Sequence, residues 1–402
     1  MLKQYVLGLA VAVLSALPLC AESSRGVQSA PLDTARRAPV VSLLTCSPGT
    51  AVYELYGHTA LRVKGEGGDD WVFNYGTFSF RQPHFVWRFV LGNTDYCLSV
   101  SPYSFFYEAY ARDGRGVSEQ RLNLTPVEAR RLEAFLAKNL EPGNATYRYN
   151  FFYDNCTTRA VDAIAAAVDG RVVWPVADGR KTLRDIVHQY SAASPWNKFG
   201  QDLLLGAEAD KPADTRHQMF APLYAQMFAD SAMVRGRDGS LRHLVAPSTT
   251  LLPAVAAPMR PFPVSPMAAF VALLMVVALL TAWEWYARRN FWPLDALLLL
   301  AQGLAGCVIA FLFFFSAHPA VGSNWLVVMF NPLPLLYLPW YMKHASLRRP
   351  VPGMYVQGVM LAVTLAVGLA GMQRFPAEVY LIIAALAFRC AASLLRARRV
   401  RA

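Results

Sequence analysis

Cys156 lies at the boundary between a polar, aromatic stretch and an amphipathic one. The sequence NFFYDNCTTR, residues 150–159, leads directly into AVDAIAAAVDG, whose apolar spacing predicts a helix that begins at the cysteine. The partial positive charge of a helix N-terminus favours a thiolate over a thiol, so a cysteine placed there is suited to act as a nucleophile. The alternative is a structural role, because cysteine is among the residues most often buried in protein cores.

His58 is the histidine best placed to serve such a thiol as a general base. It follows Gly57 and opens the β-rich run HTALRVK, which the turn GEGGDD joins to WVFNYGTF in a predicted hairpin. Residues 72, 74 and 76 of the second strand then share a face with His58, and Asn74 is the side chain predicted to orient the imidazole. Taken singly, either side chain could instead be a structural part of a strand or a turn.

Acyl chemistry at a thiol also needs hydrogen-bond donors for the oxyanion that forms on the attacked carbonyl group. We predict that the backbone N–H of Cys156 and the hydroxyl of Tyr53 or Tyr153 supply these donors. The predicted chemistry requires neither a metal ion nor a cofactor.

The elements around these residues combine strands and helices. VVSLLTCSPGT, residues 40–50, predicts a buried strand or helix, and FVWRFVLGNTDYCLSV, residues 85–100, continues the strand pattern. Thr125, followed by Pro126 and Glu128, marks the start of a helix. A helix-borne cysteine packed on a sheet that carries the histidine is the arrangement of papain-like folds. Because the histidine comes first here, the chain order predicts a circularly permuted papain-like α+β domain.

The segments before and after the strand-and-helix region contain long apolar runs and are predicted to have other roles. Residues 1–21 have the anatomy of a signal peptide, and residues 22–40 read as a linker, so residues 41–245 are predicted to form an exported domain. Residues 246–265 form a proline-rich linker. Residues 266–402 contain the long apolar runs, which predict an all-α bundle of about five transmembrane helices.

The five predicted spans are about 20 residues long, as a bilayer requires. They cover residues 267–286, 294–316, 325–342, 354–372 and 376–395. If the preceding domain is outside, the inner ends carry nine Lys or Arg and the outer turns carry one, which places the C-terminus in the cytoplasm. The net charge of +11 therefore reflects membrane topology and not a nucleic-acid partner. Glu284 and Asp295, near the inner ends, are predicted to anchor at the membrane interface.

The cysteines give no complete disulfide framework. Three of the six fall in the predicted spans or the signal peptide, so the exported domain keeps Cys46, Cys97 and Cys156. An odd count leaves one thiol free unless it pairs with another chain. Two pairings stay open at this point: Cys46 with Cys97, or Cys46 with Cys156, which would remove the nucleophile.

Several motifs resemble, in order, those of one protein family. SLLTCSPG, YGHTALRV, FNYGTF, YNFFYDNCTTR, FSAHPAVGSNW and FNPLP are similar to the motifs of the Lnb-type lipoprotein N-acyltransferase (intramolecular transacylase) family. The resemblance extends from about Val41 to the C-terminus, and it implies an exported papain-like domain joined to membrane helices. More distantly, the chain resembles permuted papain-like enzymes such as lecithin retinol acyltransferase, which pass acyl chains through a cysteine thioester.

The resemblance implies that Cys156 is the nucleophile and His58 its base, in acyl transfer onto the α-amino group of the lipid-modified N-terminal cysteine of bacterial lipoproteins. The implied partners are diacylglyceryl lipoproteins, phospholipids or both, at the outer face of the cytoplasmic membrane. The turn SAHPAVGSNW faces the same compartment, so His318, Ser323 and Asn324 could line the lipid entrance. His318 could instead be a favourable charge at a helix C-terminus. Neither the acyl donor nor the oligomeric state follows from the sequence.

Two other functions stay open. An exported papain-like domain could be a peptidase or amidase that acts on cell-wall peptides, and it would then work when separated from residues 260–402. A non-enzymatic protein of lipoprotein trafficking or envelope assembly would tolerate replacement of Cys156 and His58. The apolar spans favour a lipid over a peptide substrate, and the Cys/His pair favours an enzyme over a scaffold.

Overall fold

A computed structural model describes residues 37–79, 83–255, 262–347, 349 and 351–399. The predicted signal peptide, most of the first linker and residues 256–261 of the proline-rich linker lie outside the described residues. The chain divides into two compact units. The first extends to Ile186 and resumes from Pro212 to the proline-rich linker. The second combines Val187–Lys211 with the helices that follow that linker.

Ten strands form two antiparallel sheets in the described part of the first unit. In chain order they are β1 (Val40–Cys46), β2 (His58–Lys64), β3 (Asp70–Thr77), β4 (Asp95–Pro102), β5 (Val117–Arg121), β6 (Thr146–Arg148), β7 (Arg171–Val173), β8 (Met233–Arg235), β9 (Leu241–His243) and β10 (Thr249–Leu252). The larger sheet has the order β10-β5-β1-β2-β3-β4-β6, and the smaller one has the order β7-β8-β9. The predicted hairpin is confirmed as β2 and β3, whose turn occupies residues 65–69.

Eight helices precede the proline-rich linker within the described ranges. They are α1 (Phe85–Val90), α2 (Tyr103–Arg112), α3 (Pro126–Leu140), α4 (Cys156–Ala167), α5 (Leu183–Ser191), α6 (Pro195–Leu204), α7 (Thr215–Gln218) and α8 (Pro222–Ser231). The predicted start of α3 is confirmed: the hydroxyl of Thr125 accepts from the N–H of Glu128, whose carboxylate accepts from the N–H of Thr125. Leu136 of α3 and Ile164 of α4 are buried in one core with strand residues such as Leu61.

The prediction that residues 85–100 continue a strand pattern is wrong for their first part. Phe85–Val90 forms helix α1, and the strand begins only at Asp95. Within α1 only Phe85 is buried, whereas Val86, Trp87 and Phe89 are exposed. A continuous apolar run does not by itself distinguish a strand buried on both faces from a helix, so the pattern was insufficient here.

The second unit contains the apolar helices. After the proline-rich linker they are α9 (Pro266–Tyr286), α10 (Trp292–Phe315), α11 (Leu333–Ser346), α12 (Gly353–Leu369) and α13 (Ala377–Arg399). Among the described residues, α9, α10 and the first 20 residues of α13 are long and apolar enough to cross a membrane, and α12 is a shorter apolar helix.

The third predicted span, residues 325–342, is wrong as a continuous helix. A 3-10 turn covers Trp325–Val328, and α11 begins only at Leu333. Proline lacks an N–H and disfavours helix at the preceding residue, so Pro332 breaks the segment. The side chain of Asn331 compensates for the break: its Nδ2 donates to the carbonyl of Val328 at 2.7 Å, and its Oδ1 accepts from the N–H of Leu333 at 3.0 Å.

A buried ion network joins three of these helices. Arg389 of α13 donates to Glu284 of α9 at 2.7 Å and also pairs with Asp295 of α10, while Arg396 pairs with both acids. The two carboxylate side chains are only 1% exposed. The predicted role of Glu284 and Asp295 as interfacial anchors therefore needs correction, because buried acids require partners and here bind arginines more than 90 residues away.

Candidate active site

The β2–β3 hairpin holds the predicted base beside its predicted orienting group. His58 is the first residue of β2, Asn74 lies in β3, and the register of the hairpin puts both on one face of the sheet. Nε2 of His58 lies 3.2 Å from Oδ1 of Asn74, and Nδ2 of Asn74 donates to the carbonyl of Val72. Because an amide oxygen only accepts, Nε2 carries the proton of the neutral ring, which leaves Nδ1 as the proton acceptor.

The cap of α4 fixes the position of Cys156, the first residue of the helix. Asn155 is the N-cap: its Oδ1 accepts from the N–H groups of Thr157 and Thr158, both at 2.9 Å, and its Nδ2 donates to two backbone carbonyls. This side chain is buried and fully bonded, so the start of the helix is held in one place. Among the described residues no acceptor is bonded to the N–H of Cys156, which leaves that donor available for an oxyanion.

The thiol of Cys156 is half-buried and contacts groups that stabilise its ionised form. Burial raises the pKa of the thiol. Four interactions lower it by a larger amount: the charge of His58, its hydrogen bond, the N–H of Thr59 and the hydroxyl of Thr157. The pKa of Cys156 therefore lies below its ordinary value of 9.0. Sγ lies 3.8 Å from Oγ1 of Thr157, which lies 3.0 Å from Oγ1 of Thr59. Cys156, His58 and Asn74 thus lie together, and their roles in catalysis stay predictions.

Gly76, which sequence reasoning misses, lets β3 approach the nucleophile closely. Its φ of +86° lies in the left-handed region, at a bulge where the pairing of β3 with β4 shifts between Asn74 and Thr77. A Cβ atom at this position would lie 3.3 Å from Cβ of Cys156. The available signal is the sequence NYGT, because a glycine inside a strand often marks a bulge or a close backbone approach.

Cys46 is the second thiol near this site. It ends β1 and pairs across the sheet with His58. Cys46 is fully buried, and both Cys46 and Cys156 are free thiols. The two disulfides considered above, Cys46 with Cys97 and Cys46 with Cys156, are therefore wrong. Burial raises the pKa of Cys46 to about 12, although a hydrogen bond with Tyr110 and the charge of Arg115 oppose that effect.

The two tyrosines predicted as oxyanion donors lie in different surroundings. Tyr53 is mostly exposed, and its ring lies 6.2 Å from that of Phe78. Tyr153 is half-buried, its ring lies 5.6 Å from that of His217, and its N–H donates to Oδ1 of Asn150. The choice between the two hydroxyls as the second oxyanion donor stays a prediction.

The three polar residues predicted to face lipid belong to the second unit, in the turn between α10 and the next apolar segment. The N–H of His318 donates to Oγ of Ser316 at 3.4 Å. Asn324 is buried, and its Nδ2 donates to the carbonyl of Leu203 at 2.7 Å, while Oγ of Ser323 accepts from the N–H of Glu208 at 2.9 Å. The polar atoms of Ser323 and Asn324 therefore bind the end of α6 and the segment after it to this turn, a contact that sequence reasoning misses. A lipid-facing role for the three residues stays a prediction.

Within the described ranges, no group of three or more His, Cys, Asp and Glu side chains is arranged to hold a metal ion. The side chains assembled around Cys156 are those of thiol chemistry: a nucleophile, a base and a neutral amide.

A sheet-and-helix unit with this cluster, together with helices able to cross a bilayer, defines a membrane protein with a domain outside the membrane. Two family models match the chain: the Lnb N-terminal periplasmic domain over residues 30–189, and the Lnb transmembrane domain over residues 259–399. The chain therefore belongs to the Lnb family, as its motifs indicated. It is a membrane protein with a periplasmic N-terminal domain, related to lipoprotein biogenesis. No curated protein and no solved structure shows a significant match to the chain.

Proposed function

We propose that this protein is a lipoprotein N-acyltransferase of the bacterial cytoplasmic membrane, in which Cys156 carries the acyl group as a thioester. The observation that supports this most is that His58 acts on the half-buried Cys156 thiol through its charge and a hydrogen bond, while its Nε2 lies 3.2 Å from Oδ1 of Asn74. A thiol of lowered pKa beside an oriented imidazole is suited to covalent acyl chemistry. The transmembrane family domain supports a lipid as the acyl donor.

The proposal includes the architecture. Residues 41–245 form a circularly permuted papain-like periplasmic domain, since the histidine-bearing hairpin precedes the cysteine-bearing helix. The apolar helices hold it at the outer leaflet with the C-terminus in the cytoplasm. His318, Ser323 and Asn324 belong to an outer turn that faces the same compartment as Cys156.

The first half-reaction forms the thioester. Nδ1 of His58 accepts the thiol proton, and Sγ of Cys156 attacks the carbonyl carbon of an acyl ester on a diacylglyceryl lipoprotein or a phospholipid. The N–H of Cys156 and the hydroxyl of Tyr53 or Tyr153 donate to the oxyanion. The imidazolium then gives its proton to the departing glyceryl oxygen as the C–O bond breaks.

The second half-reaction forms the amide. The neutral α-amino group of the lipoprotein's N-terminal cysteine attacks the thioester carbonyl carbon, and Nδ1 of His58 accepts the amine proton. The C–S bond breaks, and the proton returns to the Cys156 sulfur. Thiol and neutral imidazole are restored, so the cycle can repeat.

Mass spectrometry of lipoprotein N-terminal peptides tests the proposal directly. Cells that carry the wild-type chain, a Cys156→Ala chain or no chain are compared. We expect N-acylated termini with the wild type only, and the number of esters that remain on the lipoprotein identifies the donor. Identical termini in all three strains would exclude lipoprotein acyl transfer. Retained activity on cell-wall peptides after removal of residues 260–402 would favour a peptidase instead.

A further inference from the structure

A row of aromatic side chains leads from the surface of the periplasmic domain towards the candidate nucleophile. The ring of Phe85 in α1 stacks on that of Phe78, with 5.4 Å between centroids. Phe78 lies 5.0 Å from Tyr96, which in turn stacks on Tyr149 at 4.2 Å. We call these four rings, together with Trp87 and Phe89 of α1, the aromatic track.

The inner end of the aromatic track adjoins Cys156. A Cβ atom built on Gly76 would lie 3.8 Å from the ring of Tyr149 and 3.3 Å from Cβ of Cys156, so ring and nucleophile border the same space. Phe78, Gly76, Tyr149 and Cys156 are all half-buried. Phe78 and Tyr149 are therefore partly accessible from outside, whereas Tyr96, which joins them, and Phe85 are buried, at 7% and 8% exposure.

The outer end of the aromatic track is an exposed apolar surface. Val86, Trp87 and Phe89 are 71%, 56% and 47% exposed, although they are consecutive or nearly consecutive on one short helix. Tyr53, whose ring lies 6.2 Å from that of Phe78, is 58% exposed. Soluble domains usually expose such side chains singly, and a contiguous group indicates a binding surface.

We propose that the aromatic track binds the hydrocarbon of a lipid acyl chain and guides its ester or thioester end to Cys156. The proposal rests on the proposed function and names the surface that recognises the acyl group. Hydrocarbon gains free energy in proportion to the area it removes from water, so a thioester-bound chain needs an apolar surface that begins at the sulfur. The aromatic track begins there, and its ring contacts pass through the buried Tyr96 and Phe85 to the exposed Phe89 of α1.

Two further features favour a lipid over a protein as the occupant. Trp and Phe beside an aliphatic residue are the side chains that membrane-surface segments place in the interface. The transmembrane domain of the same chain tethers the periplasmic domain to a bilayer, so lipid is the apolar partner present at the highest local concentration.

Alkylation of the thiol tests the aromatic track without requiring acyl transfer. The full-length protein in lipid nanodiscs is treated with N-dodecyl iodoacetamide or with iodoacetamide, each of which forms a C–S bond at Cys156 with loss of iodide. Mass spectrometry of the Cys156 peptide gives both rates. We expect the double substitution Trp87→Gln with Phe89→Gln to lower the preference for the dodecyl reagent about tenfold, because hydrocarbon contact is lost. The rate with iodoacetamide should stay at the wild-type value.

Matched variants separate this effect from damage to the fold. Leu223→Gln with Met227→Gln changes two side chains of α8 with similar exposures, 45% and 51%, and should leave both rates unchanged. Trp87→Phe should keep the preference. The proposal is overturned if the Trp87/Phe89 variant keeps the wild-type preference. It is also overturned if that variant loses both rates equally, because the thiol site and not the hydrocarbon contact would then be affected.

Failure of the proposed function gives a different result from failure of the aromatic track. If lipoprotein N-termini are the same with and without the protein, acyl transfer is excluded, yet the dodecyl preference still reports hydrocarbon binding next to Cys156. If N-acylation is intact and the preference does not depend on Trp87 and Phe89, only the assignment of the surface is wrong.

Discussion

Two free thiols lie in the same domain and have opposite acid–base properties. Cys46 ends β1 and pairs with His58 across the sheet, whereas Cys156 begins α4 and contacts the side chain of His58. Burial raises the pKa of both thiols. In Cys46 the burial effect prevails and the pKa is about 12, whereas in Cys156 the pKa falls below 9.0.

The difference comes from the partners of each sulfur. Cys46 has a hydrogen bond with the half-buried Tyr110, whose own pKa is raised well above its ordinary value, and the charge of Arg115 does not overcome the effect of burial. The sulfur of Cys156 lies at the start of a helix, where the imidazole of His58, the N–H of Thr59 and the hydroxyl of Thr157 stabilise its thiolate. Burial alone therefore does not identify a nucleophile. The donors that face the sulfur determine whether the thiolate is stable.

Removal of each thiol is the strongest test of this comparison. Cys156→Ala should lower the rate of lipoprotein N-acylation at least about a thousandfold, because no other group can form the acyl-enzyme. Cys46→Ala, the matched control, should retain most of the activity. The rates are measured by mass spectrometry with a lipopeptide substrate and full-length proteins in nanodiscs. Equal losses in the two variants would mean that the thiols act as a pair and that the distinction between them is wrong.

Loss of the imidazole should have the next largest effect. His58→Ala should lower the N-acylation rate about 10²–10⁴-fold, since both proton transfers lose their base. It should also slow alkylation of Cys156 at neutral pH, because the thiolate loses its main stabilising charge. His243→Ala in β9 is a matched control that should change neither rate. A His58→Ala protein with wild-type alkylation kinetics would show that other groups ionise the thiol.

The pH dependence of alkylation distinguishes the two thiols within one protein. A lowered pKa means that Cys156 ionises, and its alkylation rate rises, at lower pH than in an ordinary cysteine, while Cys46 stays protonated until pH approaches 12. At pH 8 we expect iodoacetamide to modify Cys156 at least about a hundredfold faster than Cys46, since each unit of pKa changes the thiolate fraction about tenfold. Peptide mass spectrometry over pH 5–10 gives both profiles. In the denatured protein the two profiles should coincide, and coincidence in the folded protein would contradict the comparison.

The contacts of Cys156 were easier to predict than those of Cys46. The turn GEGGDD and the flanking β-rich runs determine the hairpin, and the period of two then puts Asn74 on the face of His58. The polar run before AVDAIAAAV likewise predicts the start of α4. The pairing of Cys46 with His58 depends on the register between β1 and β2, which no local signal specifies.

Longer-range features could not be predicted for the same reason. The bulge at Gly76 depends on how β3 pairs with β4, and the ion pair of Glu284 with Arg389 joins helices 105 residues apart in sequence. The segment 187–211 shows no apolar run, yet it belongs to the compact unit of the apolar helices, through contacts such as that of Asn324 with Leu203. Hydropathy predicts most of the apolar helices of the second unit. It fails for the predicted span 325–342, which is interrupted at Pro332.

The helix cap offers the smallest but most specific test of what positions the nucleophile. Asn155→Ala removes the oxygen that accepts from Thr157 and Thr158 and should cost about 1–2 kcal/mol of stability. Thr125→Ala removes the equivalent cap of α3, away from the thiol, and should cost about 1 kcal/mol. Thermal unfolding of the full-length protein in nanodiscs measures both. We expect only Asn155→Ala also to slow alkylation of Cys156 at pH 8, since the start of α4 carries the sulfur and its N–H donor. If both caps lower stability alike and neither changes the alkylation rate, the partners from the hairpin alone make Cys156 different from Cys46.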